Sequence, residues 1–565
     1  MSTRRGGLGL VCVALALSVA GQATAHALRA GPVTGPATGP AAVRGPALHD
    51  GATIRPPARP LVPPARVLVD EGFEADRLPP GAAVFGGPAG WLGWSVLAHP
   101  GAGRYPASVA AAAQGPQVLR LVTTPGARAG TTTTHPVRPG LRYRLSATLG
   151  DTGVRPFGVR LAVTACGRTV ASRVVRTPPV PHGLGRAALT WTATQAAAGC
   201  PVGLELGNDV AGNSRAAVAD VDAVRLTEAG TAVAPRSLVV ASPRPSQVLQ
   251  RGDDGTAGVP VRTTVPAGSA VRVRLVPRVE AGVPVVGAAT PWVDVRGSGG
   301  YGTATVPGVP AGWYDLRVEA RRAGDVVASA TVPGVGVGEV FLTLGQSNSA
   351  NSGSVAQHVD DPRASAPVLG FAGWQVADDP QPNATNVHGS PWPAFLDAVV
   401  AAEQVPVAVV AIGFGSTGVG DWRPGGLLHH RVDAALAALG PRGFRAVLWH
   451  QGEHDSVRCT PATTYAADLE ATVTGLRTAT GRPDLPFFVA TASAMKGSTQ
   501  PCREAVRAAQ AQVRADLPHV LEGPDTDGYA AAGWSVDGIH FDPRGLTAHG
   551  TAWAGRVLGS GVVPD

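Results

Sequence analysis

The chain has 565 residues, 44% hydrophobic and 15% charged, with 74 glycines and 51 prolines. That balance excludes a wholly disordered polymer, and the length suits three or four domains. Gly and Pro follow no three-residue period, which excludes collagen and points to turn-rich β structure with linkers. Lys and Arg number 47 against 40 Asp and Glu, a net charge of +7. Nearly all the cations are Arg (Lys496 is the one lysine), and their scatter argues against a nucleic-acid partner.

Arg4 and Arg5 precede an apolar stretch from Leu8 to Val19, and Ala23-Thr24-Ala25 follows with small residues. This pattern reads as a secretory signal over 1–25. The short apolar core and the cleavage motif favour it over a membrane anchor. No later span resembles a membrane helix. The expectation is a secreted, extracellular protein with no membrane attachment after cleavage. Cys12 falls inside the signal, and the other four cysteines form two groups, Cys166/Cys200 and Cys459/Cys502. Three connectivities are open, and pairing within each group is the simplest. Metal binding is the weaker alternative, because no CxxC or neighbouring His pattern accompanies them.

Residues 26–66 are rich in Ala, Pro and Gly and read as a flexible linker. From 67 to 228 the pattern is all β. Arg66–Val69, Leu119–Val122, Tyr143–Ala147 and Val159–Val163 are short alternating segments separated by Gly and Pro. The opening Glu71-Gly72-Phe73-Glu74 and the ending Val221–Leu226 resemble the two ends of jelly-roll carbohydrate-binding modules. The resemblance implies sugar binding and a structural calcium held by Glu74 and Asp222. A plain β-sandwich with surface carboxylates is the alternative. Residues 236–335 form a second β region, with alternation over Val271–Val276 and Tyr314–Ala320, and suit a small immunoglobulin-like sandwich.

Beyond 338 the period changes. Strands are predicted at Val340–Leu344, Val405–Ile412, Ala446–Trp449, Phe487–Ala492 and Val520–Leu521. Helices are predicted near 391–403, 427–439, 461–480, 501–516 and 544–558. Val407–Ile412 is continuously apolar, as a strand covered on both faces should be. Alternating strand and helix predicts a doubly wound, flavodoxin-like α/β domain over 338–560, with its crevice at the carboxyl ends of the strands. The expected fold is therefore multidomain: two all-β sandwiches followed by this sheet.

Chemistry-bearing residues collect at those strand ends. The first strand ends in Gly345-Gln346-Ser347-Asn348, where a tight turn can expose a nucleophilic Ser; a structural turn is the alternative. The second ends in Gly413–Gly418, where Gly lets backbone N–H groups approach a ligand; the spacing and Lys of a phosphate loop are missing. The third ends in Trp449–Asp455. His450, Glu453 and His454 could suggest a metal, but adjacent strand residues point to opposite faces. Near the end stands Asp537-Gly538-Ile539-His540-Phe541. Asp three residues before His can fix an imidazole tautomer.

These segments, in this order, resemble the SGNH hydrolase superfamily, in its sialate O-acetylesterase-like branch of carbohydrate esterases. The matching motifs are Gly345–Asn348, the Gly415-Ser416-Thr417 turn followed by Trp422, Trp449–Asp455 and Asp537–Phe541. The resemblance implies Ser347 as nucleophile, His540 as general base and Asp537 as its orienter. It also implies an oxyanion hole from the Ser347 and Gly415 backbone N–H groups. The wider superfamily has an Asn in the third motif; here Gln451 stands as candidate donor and Glu453 as an alternative acid. Trp422 is a candidate sugar-stacking residue, with a buried packing role as the alternative. No catalytic cofactor is implied, and the partner is an acylated polysaccharide or glycoconjugate. Two other readings stay open: a carbohydrate-binding adhesion protein with an inactive hydrolase domain, and a lipase-like esterase.

Overall fold

The computed structural model describes residues 65–71, 84–85, 102–106, 117–121, 128–151, 158–177, 185–209, 219–279, 287–369 and 373–564. The signal, residues 26–64 of the linker and Glu74 lie outside them, as does the Asp222 side chain, while Arg66, the last expected linker residue, begins the strand Arg66–Glu71. The first β region folds as two antiparallel sheets, of seven and four strands. In the strand Arg142–Asp151, Tyr143, Leu145, Ala147 and Leu149 are buried, and they join Leu161 and Leu204 of the other sheet in one core. Alternate side chains of a strand share a face, so this two-residue period seals the sheets together. Cys166 and Cys200 form a disulfide where two neighbouring strands of the four-stranded sheet begin or end, with Cα atoms 4.9 Å apart. The strand Arg128–Pro136, which contains four consecutive threonines, carries no apolar alternation that the sequence could show.

The second β region packs the sheet containing Thr256–Thr264 against the sheet containing Ala270–Pro277 and Gly312–Arg322. Val261, Val273, Leu275, Leu316 and Val318 fill the space between them. Its last strand, β1 (Asp325–Gly345), has 21 residues and does not stop at the expected boundary near 335–338. It pairs antiparallel with Gly312–Arg322 and then continues as the central parallel strand of the α/β sheet. Backbone crowding explains the missing loop: a Cβ at Gly338 would overlap the Pro406 carbonyl, so only glycine lets the strand pass.

Glu339, fully buried on β1, fastens this junction. It accepts hydrogen bonds from Arg251 Nε at 2.7 Å, Gln250 Nε2 at 2.8 Å and Arg445 Nε at 2.8 Å. Arg251 also reaches Glu403 at 2.7 Å, and Arg445 reaches Asp253 at 2.5 Å. Glu339→Ala leaves two guanidinium groups without their shared anion. Breaking a buried pair in this way costs about 3–5 kcal/mol, and urea unfolding should show it; a loss below about 1 kcal/mol would refute the fastening role.

The α/β sheet adds β2 (Ala364–Val368), β3 (Gly373–Val376), β4 (Val407–Ala411), β5 (Ala446–His450), β6 (Phe487–Thr491) and β7 (Val520–Asp525). The spatial order is β3-β2-β4-β1-β5-β6-β7, parallel except for the edge strand β3. Helices α1 (Trp392–Glu403) and α6 (Pro543–Leu558) cover one face through Trp392, Phe395 and Trp553, packed on Phe341, Val409 and Leu448. Helices α2 (His429–Leu439), α4 (Ala462–Thr480) and α5 (Gln500–Asp516) cover the other through Val432, Leu469 and Val506, packed on Leu342, Leu344 and Val410. Both faces are covered, which is why the strands read as unbroken apolar runs. Local signals place the helix ends. The Asp542 carboxylate caps α6 by accepting from Gly545 N–H at 2.8 Å, and Gly481 ends α4 at φ 63°. The strands β2 and β3 and the short helix α3 (Glu453–Arg458) went unpredicted. Among the described residues no helix is long and apolar enough to cross a membrane.

Candidate active site

The order around β1 reverses direction between β4 and β5, and a crevice opens at the carboxyl ends of strands at such a point. Ser347 lies there. β1 ends at Gly345 with φ 130°, where a Cβ would overlap the His450 carbonyl. Gln346 N–H then donates to that carbonyl at 3.0 Å, and the chain turns into a short 3-10 segment, Ser347–Ser349. The Gln346 side chain pins the third motif: its Oε1 accepts from His454 N–H at 3.0 Å and Gly452 N–H at 3.3 Å. The nucleophile turn and the third motif are thus one hydrogen-bonded unit.

Gly415 faces Ser347 from the end of β4: the direction of its missing side chain ends 3.8 Å from Ser347 Cβ. Its N–H donates to Thr385 Oγ1 at 2.9 Å. Thr385 and Asn386 sit on a loop anchored by Asn351, whose amide bonds the carbonyls of Gln381, Ala384 and Asn386. Asp379 braces the same loop by accepting from Ser390 N–H and Oγ, each at 2.6 Å. Burial pushes the Asp379 carboxyl up to about 6, against the pull of those hydrogen bonds. No sequence motif marks Thr385 and Asn386, because only this buried loop brings them beside Gly415.

Gln451 and Glu453 are buried. Gln451 Nε2 donates to Asp455 Oδ2 at 2.5 Å and to the Thr417 carbonyl at 3.0 Å, so its donors serve the loop packing. Glu453 Oε1 accepts from Asn348 Nδ2 at 2.8 Å and lies 3.1 Å from His450 Nε2. Burial raises the Glu453 carboxyl, but His450 and the Asn348 amide outweigh it and hold the group low. His450 in turn meets His549, which burial drives well below the usual histidine range.

Asn348 also donates to the Ile539 carbonyl at 3.2 Å, and this seats the last motif beside the Ser347 turn. There Asp537 Oδ2 lies 2.7 Å from His540 Nδ1. Asp537 Oδ1 accepts from His540 N–H at 2.7 Å and Ile539 N–H at 2.9 Å. Burial opposes ionisation of Asp537, yet the hydrogen bonds from His540 and Ile539 keep its carboxyl below the ordinary range. The His540 side chain is 28% exposed, so substrate can reach it. Ser347 and His540 share no hydrogen bond, and such contacts are commonly loose in an unliganded site.

Trp422 does not line the crevice. It is fully buried, packs edge-to-face on Trp449 at 6.1 Å and donates Nε1–H to Thr417 Oγ1 at 3.3 Å. The α2 and α4 layer closes over it, so it is a core residue. Cys459 and Cys502 form a disulfide joining the end of α3 to the first turn of α5, with Cα atoms 4.8 Å apart. Among the described residues no group of three or more His, Cys, Asp or Glu is arranged to hold a metal. The calcium expectation at Glu74 and Asp222 falls on side chains outside them.

Residues 337–558 match the family model described as carbohydrate esterase, sialic acid-specific acetylesterase. The match covers 222 of the 565 residues. Among solved structures, a carbohydrate acetylesterase from Xanthomonas citri is similar at 20% identity and a TM-score of 0.40, over 57% of this chain and 75% of that one. A protein from Arabidopsis thaliana is similar at 22% identity and a TM-score of 0.34, over 39% of this chain and 98% of that one. No curated protein matches the chain by sequence.

Proposed function

We propose that the chain is a secreted serine esterase that removes O-acetyl or similar short acyl groups from a carbohydrate. The observation that carries this reading is the Asp537–His540 pair at 2.7 Å, on a loop that Asn348 holds against the Ser347 turn. In this reading Ser347 Oγ attacks the acyl carbonyl carbon while His540 Nε2 takes the hydroxyl proton. Asp537 keeps the other ring proton on Nδ1 and stabilises the imidazolium. The Ser347 and Gly415 N–H groups receive the developing oxyanion. Gly415 N–H, which donates to Thr385 Oγ1, is freed for this when the Thr385 side chain turns about its Cα–Cβ bond and carries the oxygen away. His540 then protonates the departing sugar oxygen, and water, activated by the same ring, cleaves the acyl-enzyme. Around Gly415 the Thr385 hydroxyl and the Asn386 amide stand beside Ser347 Cβ, and these polar groups suit a short acyl group on a hydroxylated ring better than a lipid. Two disulfides suit an oxidising compartment.

The test is acetate release from a library of acetylated polysaccharides, run beside chromogenic esters of two-carbon and longer acyl chains. Release of acetate with a preference for the two-carbon ester is expected. Preference for long chains would make the enzyme lipase-like. No turnover of any ester would leave the carbohydrate-binding alternative with an inactive hydrolase domain.

A further inference from the structure

A cleft of ≈ 1810 Å³ lies between the two β regions and the α/β sheet. It opens beside the 440–445 and 481–484 loops at the amino ends of β5 and β6 and reaches the β2–β3 hairpin at 367–374, and neither Ser347, Asp537 nor His540 lines it. Ser347 follows their carboxyl ends. A five-residue strand separates the two ends by roughly 17 Å, so the cleft is not part of the crevice.

Its cations outnumber its acids. Arg251 and Arg445 on its wall are matched by Glu339, Glu403 and Asp253. Arg244, Arg262, Arg296 and Arg442 also line it, and none forms an ion pair among the described residues. Arg482 spends its donors on the carbonyls of Phe444 and Arg445, and Asp484 is the remaining acid on the wall. Arg244 is the telling member. Its Nη2 is buried with no hydrogen-bond partner. Burial, and then the charge of nearby Arg168, push its guanidinium down to about 10, which still leaves it charged at neutral pH. Arg244 is half-buried, and a buried guanidinium nitrogen left without an acceptor or anion is costly and calls for a partner.

We propose that this cleft binds an acidic polysaccharide, one carrying carboxylate or sulfate groups, at a site separate from the ester chemistry. Guanidinium forks match the geometry of either anion, and low-dielectric walls focus the positive field on a passing chain. Trp374 and Tyr301 add aromatic side chains to the same wall, the kind of surface that sugar rings pack on. The site holds the glycan near the enzyme while the crevice works along it. The choice of glycan over other polyanions rests on the carbohydrate reading above; the binding itself does not need turnover.

The test uses the full chain carrying Ser347→Ala, titrated calorimetrically with an oligogalacturonate, a sulfated oligosaccharide and a neutral glucose oligomer of equal length. At least one acidic oligomer should bind at least tenfold more tightly than the neutral one, and more weakly at high salt. The stronger of the two names the anion. The exposed triple replacement R262Q/R296Q/R442Q should lower that affinity at least tenfold, and R244Q alone should lower it as well. In the Ser347-intact protein the triple variant should hydrolyse 4-nitrophenyl acetate at the unaltered rate. Equal binding of the neutral oligomer, full affinity in the triple variant, or tighter binding of an oligodeoxynucleotide of equal charge would each overturn the proposal. Acidic-glycan binding by a chain whose Ser347-intact form cleaves no ester would sink the esterase reading and leave this one standing.

Discussion

Ser347→Ala is expected to lower turnover of a two-carbon chromogenic ester by at least about 10³-fold, the usual cost of losing a triad nucleophile. The fold should survive. Ser347 is buried, but what the turn depends on is elsewhere: the Gln346 side chain on the third motif, the Ser349 hydroxyl on the Leu344 carbonyl at 2.9 Å, and the Asn348 amide on Glu453. Removing one hydroxyl disturbs none of these. The residual rate should come from the oxyanion donors alone, and an active-site phosphonate should label the parent chain but not the variant. Near-normal turnover by a folded variant would remove Ser347 from the mechanism.

What the sequence made legible follows from how local each signal is. β4 was readable because every residue of Val407–Ala411 is buried, so its apolar run is continuous. β2 was not: Ala364–Val368 contains Ser365 and Pro367, and its burial comes from pairing with β4 and β3. The strand β1 was split where the period changes near 338, although the backbone runs straight through: Gly338 lies against the Pro406 backbone, and Gly336 against the Pro406 ring and Trp313. The Asp537–His540 contact was legible because both residues stand in one short motif whose geometry lies within one turn. Trp422 misled for the opposite reason. It follows a motif by a few residues, but its placement is decided by helices packed from distant sequence. Gln451 likewise stands in the motif while its donors serve Asp455 and Thr417. Thr385 and Asn386 had no motif at all, since the loop that carries them is shaped by the buried amide of Asn351.

Asp537→Asn is expected to be crippling and Glu453→Gln milder. The two carboxylates occupy different chains of contact. Asp537 touches His540 twice, through the ring at 2.7 Å and through the backbone N–H at 2.7 Å. In Asp537→Asn the amide oxygen can keep the backbone bonds of His540 and Ile539. The amide NH₂ then faces the ring and forces Nδ1 to accept, which moves the ring proton to Nε2. A proton on Nε2 blocks that nitrogen from taking the Ser347 proton. Where geometry is kept and only the tautomer is wrong, the loss in turnover is about 10⁴-fold. Asp537 is 46% exposed, so water competes for the ring and the loss here should fall at about 10³–10⁴-fold. Glu453 acts at one remove. Its Oε1 holds Asn348, and Asn348 holds the Ile539 carbonyl. Glu453→Gln can keep that acceptor, so turnover should fall by no more than about tenfold. Kinetics on both variants, with circular dichroism to check the fold, decide between them. The reverse order of losses would transfer the orienting role to Glu453, through a rearrangement that brings its carboxylate from His450 to His540.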